Sequence, residues 1–162
     1  REFGSSGARE PGSCRLESRT APVAFRRMDR TLVICKPDAV ERGLVGEIIG
    51  RLERKGLRLA AIELRTLDAD TLGRHYEEHV DKPFYGDLVA FMSRGPVVAM
   101  VVEGPSDTFA VVRTLMGATD PTKAAPGTIR GDYGLLVTEN LVHGSDAIES
   151  SEREIGIFFP GA

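Results

Sequence analysis

The chain has 162 residues, 41% hydrophobic and 28% charged, which suits one soluble domain with its own core. A formal net charge of −3 excludes a global basic field for nucleic acid or membrane, so any phosphate binding must come from a few local cations. No apolar run approaches the roughly 18 residues of a membrane span, and Cys14 and Cys35, far apart, support neither a disulfide framework nor a cysteine zinc site.

Residues 1–27 carry no helical or strand period and are rich in Gly, Ser, Pro and Arg. They lack the continuous apolar segment of a secretory signal, and Glu2, Glu10 and Glu17 count against a mitochondrial transit peptide. The expectation is a disordered or artificially added leader, with Met28 the natural start and 28–162 the folded domain. Thr31 to Cys35 reads as a short apolar strand stopped by Lys36-Pro37-Asp38, which sets a cation at the sheet edge. Cys35 within it is expected as a buried reduced thiol, consistent with a cytoplasmic location.

Gly43 to Lys55 has helical periodicity, with Gly56 as the stop, and Leu57 to Leu67 alternates as a second strand. Asp68 is placed to cap a helix running through Tyr76 and His79. Lys82-Pro83-Phe84 opens another helical segment to about Arg94, and Val97 to Val102 is an apolar run suited to a central strand. Gly104-Pro105-Ser106 is expected to turn and cap a helix through Val111, Val112 and Leu115. Gly117 to Gly131 has no period, and a stretch that long inside a compact domain is usually functional. Leu135 to Val137 and Leu141-Val142 are expected to supply the last strand.

The chemistry concentrates after that strand. His143 ends an apolar run just before Gly144, and Asp146 reads as an N-cap with Glu149 completing a capping box. On a helix from Ala147, Glu154 shares a face with Ala147, Ser150 and Ser151, and its carboxylate aims back toward His143. A carboxylate that fixes an imidazole is a recurring device for a nucleophilic or acid–base histidine. Read alone, His143 could equally be a loop histidine and Glu154 a solvated helix residue. His75 and His79 share a helical face, but Tyr76 stands where a zincin needs Glu, which argues against a zinc hydrolase. Neither a P-loop nor the protein-kinase loops are present. Lys36, Arg113 and Arg130 are separated cations, each beside a structural breakpoint; together they could neutralise a polyphosphate.

The string Asn140-x-x-His143-Gly144-Ser145-Asp146, followed by Glu154, closely resembles the active-site signature of the nucleoside diphosphate kinases. The resemblance spans about Arg30 to Gly161. It implies an α+β, ferredoxin-like sandwich, expected here as a four-stranded antiparallel sheet with helices packed on one face. It implies phosphorylation of His143, with Glu154 orienting it and Tyr76 and Ser145 completing the polar surround. Lys36, Arg113, Arg130 and Thr119 match positions that bind nucleotide phosphates. Asn140, with Lys36, matches contacts to the ribose, and Phe84 the ring that stacks on the base. Mg²⁺ bridging the substrate phosphates rather than bound by protein ligands, ATP and other nucleoside di- and triphosphates as partners, and a homo-oligomer (hexamer or tetramer) are further implications. Nucleic acid and membrane are not required. Ala39, Ala147 and Glu139 depart from the family's usual Gly, Ser and Arg, and Glu139 bears on subunit contacts. The rival expectation is a ferredoxin-like nucleotide-binding module that catalyses nothing.

Overall fold

The structure is a computed structural model and describes residues 28–161; the expected leader at 1–27 lies outside the described residues. Four strands form one sheet: β1 (Asp29–Cys35), β2 (Arg58–Arg65), β3 (Val97–Gly104) and β4 (Val142–Gly144). Their spatial order is β2-β3-β1-β4, and every neighbouring pair is antiparallel. That is the expected ferredoxin-like sheet.

The helices cover both faces, not one. On one side Val33, Cys35, Met100 and Val102 pack against Ile48 and Leu52 of α2, and against Val112 and Met116 of α5; α1 is Pro37–Glu41, α2 Val45–Arg54 and α5 Thr108–Met116. On the other, Leu32, Ile34, Ala99 and Val101 pack against α3 (Ala69–His75), α4 (Tyr85–Ser93) and α7 (Ile148–Phe158) through Leu72, Met92, Ile155 and Phe158. The physical reason lies in the two central strands. Leu32 to Cys35 and Val97 to Val102 are buried without interruption, so successive side chains on both faces need an apolar cover. Edge strand β2 keeps only partial cover, with Ile62 and Leu64 exposed.

Several local expectations stand. The Asp68 carboxylate accepts the Thr71 amide at 2.7 Å and starts α3 as expected, but the α-helix stops at Tyr76, its C-cap, and a 3-10 turn (Glu77–His79) replaces the expected continuation through His79. Gly56, with φ +91°, supplies the left-handed residue after α2. The Gly117–Gly131 stretch, expected without regular structure, instead carries a 3-10 turn (Pro121–Lys123) and the start of α6 (Ile129–Tyr133).

Others do not. The capping box at Asp146 and Glu149 does not form: the N-cap of α7 is Ala147, in extended conformation and without a side-chain cap, and Ile148 is the first helical residue. The expected cap at Ser106 is likewise replaced, because Asp107 enters α5 with φ 64° and Thr108 Oγ1 donates to the Pro105 carbonyl. Leu135, Leu136 and Val137 join no strand and stand exposed; the last strand is only Val142–Gly144. Glu139 finds its partner within the chain: Arg94 donates to it at 2.6 Å while forking to Glu41, tying the segment before Asn140 to α1 and the end of α4.

Candidate active site

His143 lies on β4, paired with Ile34 of β1, so a sheet strand fixes its backbone. Gly144 after it allows β4 to approach α5, since a Cβ there would sit 2.7 Å from Met116 Sδ. The ring is held from α7. Its Nε2 lies 3.2 Å from both Glu154 carboxylate oxygens, and Ser145 Oγ donates to Glu154 Oε2 at 2.6 Å. Glu154 is 5% exposed. Burial opposes its ionisation, but the hydrogen bond and charge of His143, with the Ser145 hydroxyl, outweigh burial and hold the carboxyl down at about 2.

With Nε2 turned to the carboxylate, Nδ1 is the nitrogen left for chemistry. A neutral imidazole carries one N–H; Glu154 favours it on Nε2, which leaves the Nδ1 lone pair as the nucleophile. The helix start shifted to Ile148 does not disturb this, because Ser151 and Glu154 still face inward and are buried. Tyr76 is buried beside the same cavity, and burial followed by the Glu154 charge raises its hydroxyl pKa, so it stays a donor.

The cations come together from distant parts of the chain. Lys36, which follows β1, donates from Nζ to Asn140 Oδ1 at 2.7 Å, and Asn140 Nδ2 donates to the Thr119 carbonyl at 3.0 Å. Arg130, in α6, is 5% exposed and donates to the carbonyls of Asn140, Gly117 and Val142 at 3.2, 2.9 and 2.7 Å. Arg113, in the last turn of α5, donates to the Gly144 carbonyl at 3.2 Å. Among the described residues none of the three pairs with a carboxylate. Burial, then Arg130, pull Lys36 down to about 8, and burial with Arg113 pulls Arg130 down to about 10. Asp38 attracts Lys36 without forming an ion pair with it, and like charges held together in the empty protein form a ready anion site.

A strained hinge joins the two halves of the site. Leu141, fully buried, has φ 72°, a region costly for a residue with a Cβ, by roughly 1–3 kcal/mol. Its amide donates to Asp38 Oδ2 at 3.0 Å, and its carbonyl accepts from the Lys36 amide at 2.8 Å. The Lys36-Pro37-Asp38 turn therefore sets the backbone that presents Asn140 and leads into His143.

Lys36, Tyr76, Arg113, Thr119, Arg130, Asn140, His143 and Glu154 all border one cavity of about 220 Å³. Ser145 stands behind it, acting through Glu154. Phe84 does not line it; the residue is 48% exposed, and its ring lies 5.6 Å, edge to face, from that of His79, which does line the cavity. Sequence reasoning weighed His75 only with His79 as a zincin pair and gave Asp38 no role in the site. His75 is buried, with its ring 4.6 Å from His143 edge-on and 5.1 Å from Phe158. Burial first, then the neighbouring His143, push it down to about 3, so its 3.7 Å approach to Glu154 joins a neutral ring to a carboxylate and is not an ion pair. The doublet His75-Tyr76 beside a capped helix was the available signal, but it shows nothing until α3 is packed on α7.

The family model described as nucleoside diphosphate kinase matches residues 29–162. The chain is 62% identical over 133 residues to a nucleoside diphosphate kinase of Thermobifida fusca, covering 82% of this chain and 98% of that one. It is 65% identical over 133 residues to one of Streptomyces avermitilis, covering 82% and 96%. Among solved structures, a halophilic nucleoside diphosphate kinase from Halobacterium salinarum in complex with CDP matches with a TM-score of 0.79 and 52% identity, over 82% of this chain and 88% of that one. By sequence and by fold, the chain belongs to the nucleoside diphosphate kinase family.

Proposed function

We propose that the phosphotransfer of the family, from a nucleoside triphosphate to a nucleoside diphosphate, runs here as a ping-pong relay on His143, within a domain spanning 28–162. The observation that carries this is the joining, at one cavity, of a carboxylate-held imidazole and three cations that form no ion pair with a carboxylate among the described residues. His143 Nδ1 attacks the γ-phosphorus in line. The N–P bond forms, the bridging P–O bond breaks, and the electron pair leaves on the nucleoside diphosphate. A second diphosphate then takes the phosphoryl group back by the reverse step.

Phosphoryl transfer spreads negative charge over a loose transition state, so catalysis is chiefly positioning and charge stabilisation. Lys36, Arg113 and Arg130 supply that charge. Arg130 gives three N–H groups to carbonyls and keeps the rest of its donor set for phosphate oxygens. Asn140 and Lys36 take the ribose, and Thr119 lies with them. Tyr76 and Ser145 complete the surround of His143. The CDP bound by the Halobacterium relative supports a nucleotide in the equivalent cavity. Mg²⁺ prefers phosphate oxygens, water and one or two carboxylates, and Glu154 is already engaged by His143 and Ser145. The ion fits on the substrate phosphates with Glu78 and Asp146 at the cavity wall, and when bound it neutralises phosphate charge. Exposed Ile62 and Leu64 on the sheet edge support a homo-oligomer, and a cytoplasmic site of action suits the nucleotide substrates. No described helix is long and apolar enough to cross a membrane.

Labelled ATP tests the relay. The expected product is an acid-labile, base-stable phosphate on His143, discharged by added nucleoside diphosphate; absence of label would leave the silent binding module. Phe84→Ala is expected to raise KM roughly tenfold for every base alike, since stacking contributes about 1–3 kcal/mol per base. A base-selective effect removes Phe84 as a simple platform.

Nucleotide affinity is expected to weaken as pH rises through about 8. Lys36 in the empty protein loses its proton there. Bound polyphosphate favours the charged ammonium, so above that pH binding must take up a proton, and Kd rises by at most about tenfold per pH unit. Calorimetric titration with a nucleoside diphosphate checks this. The slope disappears in Lys36→Met; a slope that persists assigns the effect elsewhere.

A further inference from the structure

We propose that His75, His143 and Glu154 form a binding site for a borderline divalent transition-metal ion of the Zn²⁺ class, and that its occupancy silences the nucleophile. The site itself stands on geometry; only the silencing rests on the role given to His143 above.

The first observation is an unsatisfied group. His75 is 4% exposed, and neither of its ring nitrogens has a hydrogen-bond partner. Buried polar atoms in native proteins are nearly always paired, and an imidazole always keeps at least one hydrogen-bonding nitrogen in need of a partner. The second is convergence. One ligand atom from each of the three side chains lies within 4.8 Å of the others. Glu154 Oε1 is 3.2 Å from His143 Nε2 and 3.7 Å from His75 Nδ1. Zinc bonds of about 2.0–2.2 Å set tetrahedral ligand edges of about 3.3–3.5 Å, so the two measured edges bracket that spacing.

Two imidazoles and one carboxylate are a ligand set suited to zinc and poorly suited to Mg²⁺, which prefers oxygen. Ser145 already holds Glu154 Oε2 and so serves as the outer partner that fixes a ligating carboxylate. All three residues border the 220 Å³ cavity, which gives an entry route and room for a water in the fourth position.

The consequence follows from proton position. In the metal-free site Nε2–H faces Glu154 and Nδ1 holds the lone pair. A metal–Nε2 bond replaces that hydrogen bond. The displaced proton settles on Nδ1 and occupies the lone pair that would attack phosphorus. No redox change is involved, and removal of the ion restores the original tautomer.

The test uses the whole metal-free protein without nucleotide. Zn²⁺ is titrated against a chromophoric chelator, and Co²⁺ is followed by its visible absorption. A single equivalent with a tetrahedral Co²⁺ spectrum is expected, weakened at least about tenfold in both His75→Gln and Glu154→Gln. Because either variant could lose its fold, ¹⁵N spectra of the wild-type histidine rings provide a second reading. Zn²⁺ is expected to shift the ring nitrogens of His75 and His143 together. The proposal is overturned if no equivalent binds, or if the shifts fall on His79 alone. Metal binding in a protein that never forms phosphohistidine would defeat the relay and leave the site standing; the reverse result would do the opposite.

Discussion

Replacing His143 with alanine is expected to abolish phosphoryl transfer, with a fall on the order of 10⁴-fold or more, while the fold survives. The size follows from the loss of the group positioned to carry the phosphate covalently. The survival follows from position: His143 is partly exposed, on a short edge strand, and β4 packs through its buried neighbours Val142 and Gly144. Steady-state transfer and thermal unfolding measured on one preparation separate the two effects. Nucleotide should still bind, because Lys36, Arg113, Arg130 and Asn140 remain. Appreciable transfer by this variant defeats the relay.

The second large effect is expected from Glu154→Gln, which keeps the shape and removes the charge. An amide can turn its NH₂ toward Nε2 and so hold the proton on Nδ1, the wrong tautomer for attack. Comparable losses of an orienting carboxylate cost roughly 10²–10⁴-fold, and that range is expected for phosphorylation of His143 in a single turnover. Ser145 would also lose its charged acceptor, now at 2.6 Å. A single-turnover rate equal to wild type would remove Glu154 from the mechanism.

How much of this could be read from the chain depended on range. The central strands were visible because both their faces are buried, leaving unbroken apolar runs at Leu32–Cys35 and Val97–Val102. Those same runs pointed to helices on both faces, and the one-face expectation overlooked it. The α3 cap at Asp68 was legible because capping is local; the box at Asp146 and Glu149 was a false local signal, since Ala147 alone turns the chain into α7. Leu135 to Val137 looked like strand because composition cannot distinguish apolar residues that pack from those left on a surface. The His143–Glu154 pair followed from helical direction. Lys36, Arg113 and Arg130 could be grouped from the chain only as cations able to share a polyphosphate, and only the family resemblance assigned them to one site, because their convergence depends on α5, α6 and the turn after β1 meeting in space. The packing of His75 against His143 and Glu154 was out of reach for the same reason.

The clustered cations also bear on the lifetime of the protein. Mutual repulsion at Lys36 and Arg130 penalises the empty native state, and any polyanion that fills the cavity relieves it. A ligand at about 100 times its Kd adds about 2.7 kcal/mol to native stability by mass action alone. Susceptibility to proteases should therefore follow nucleotide supply, with starved, unfilled molecules the first to be degraded.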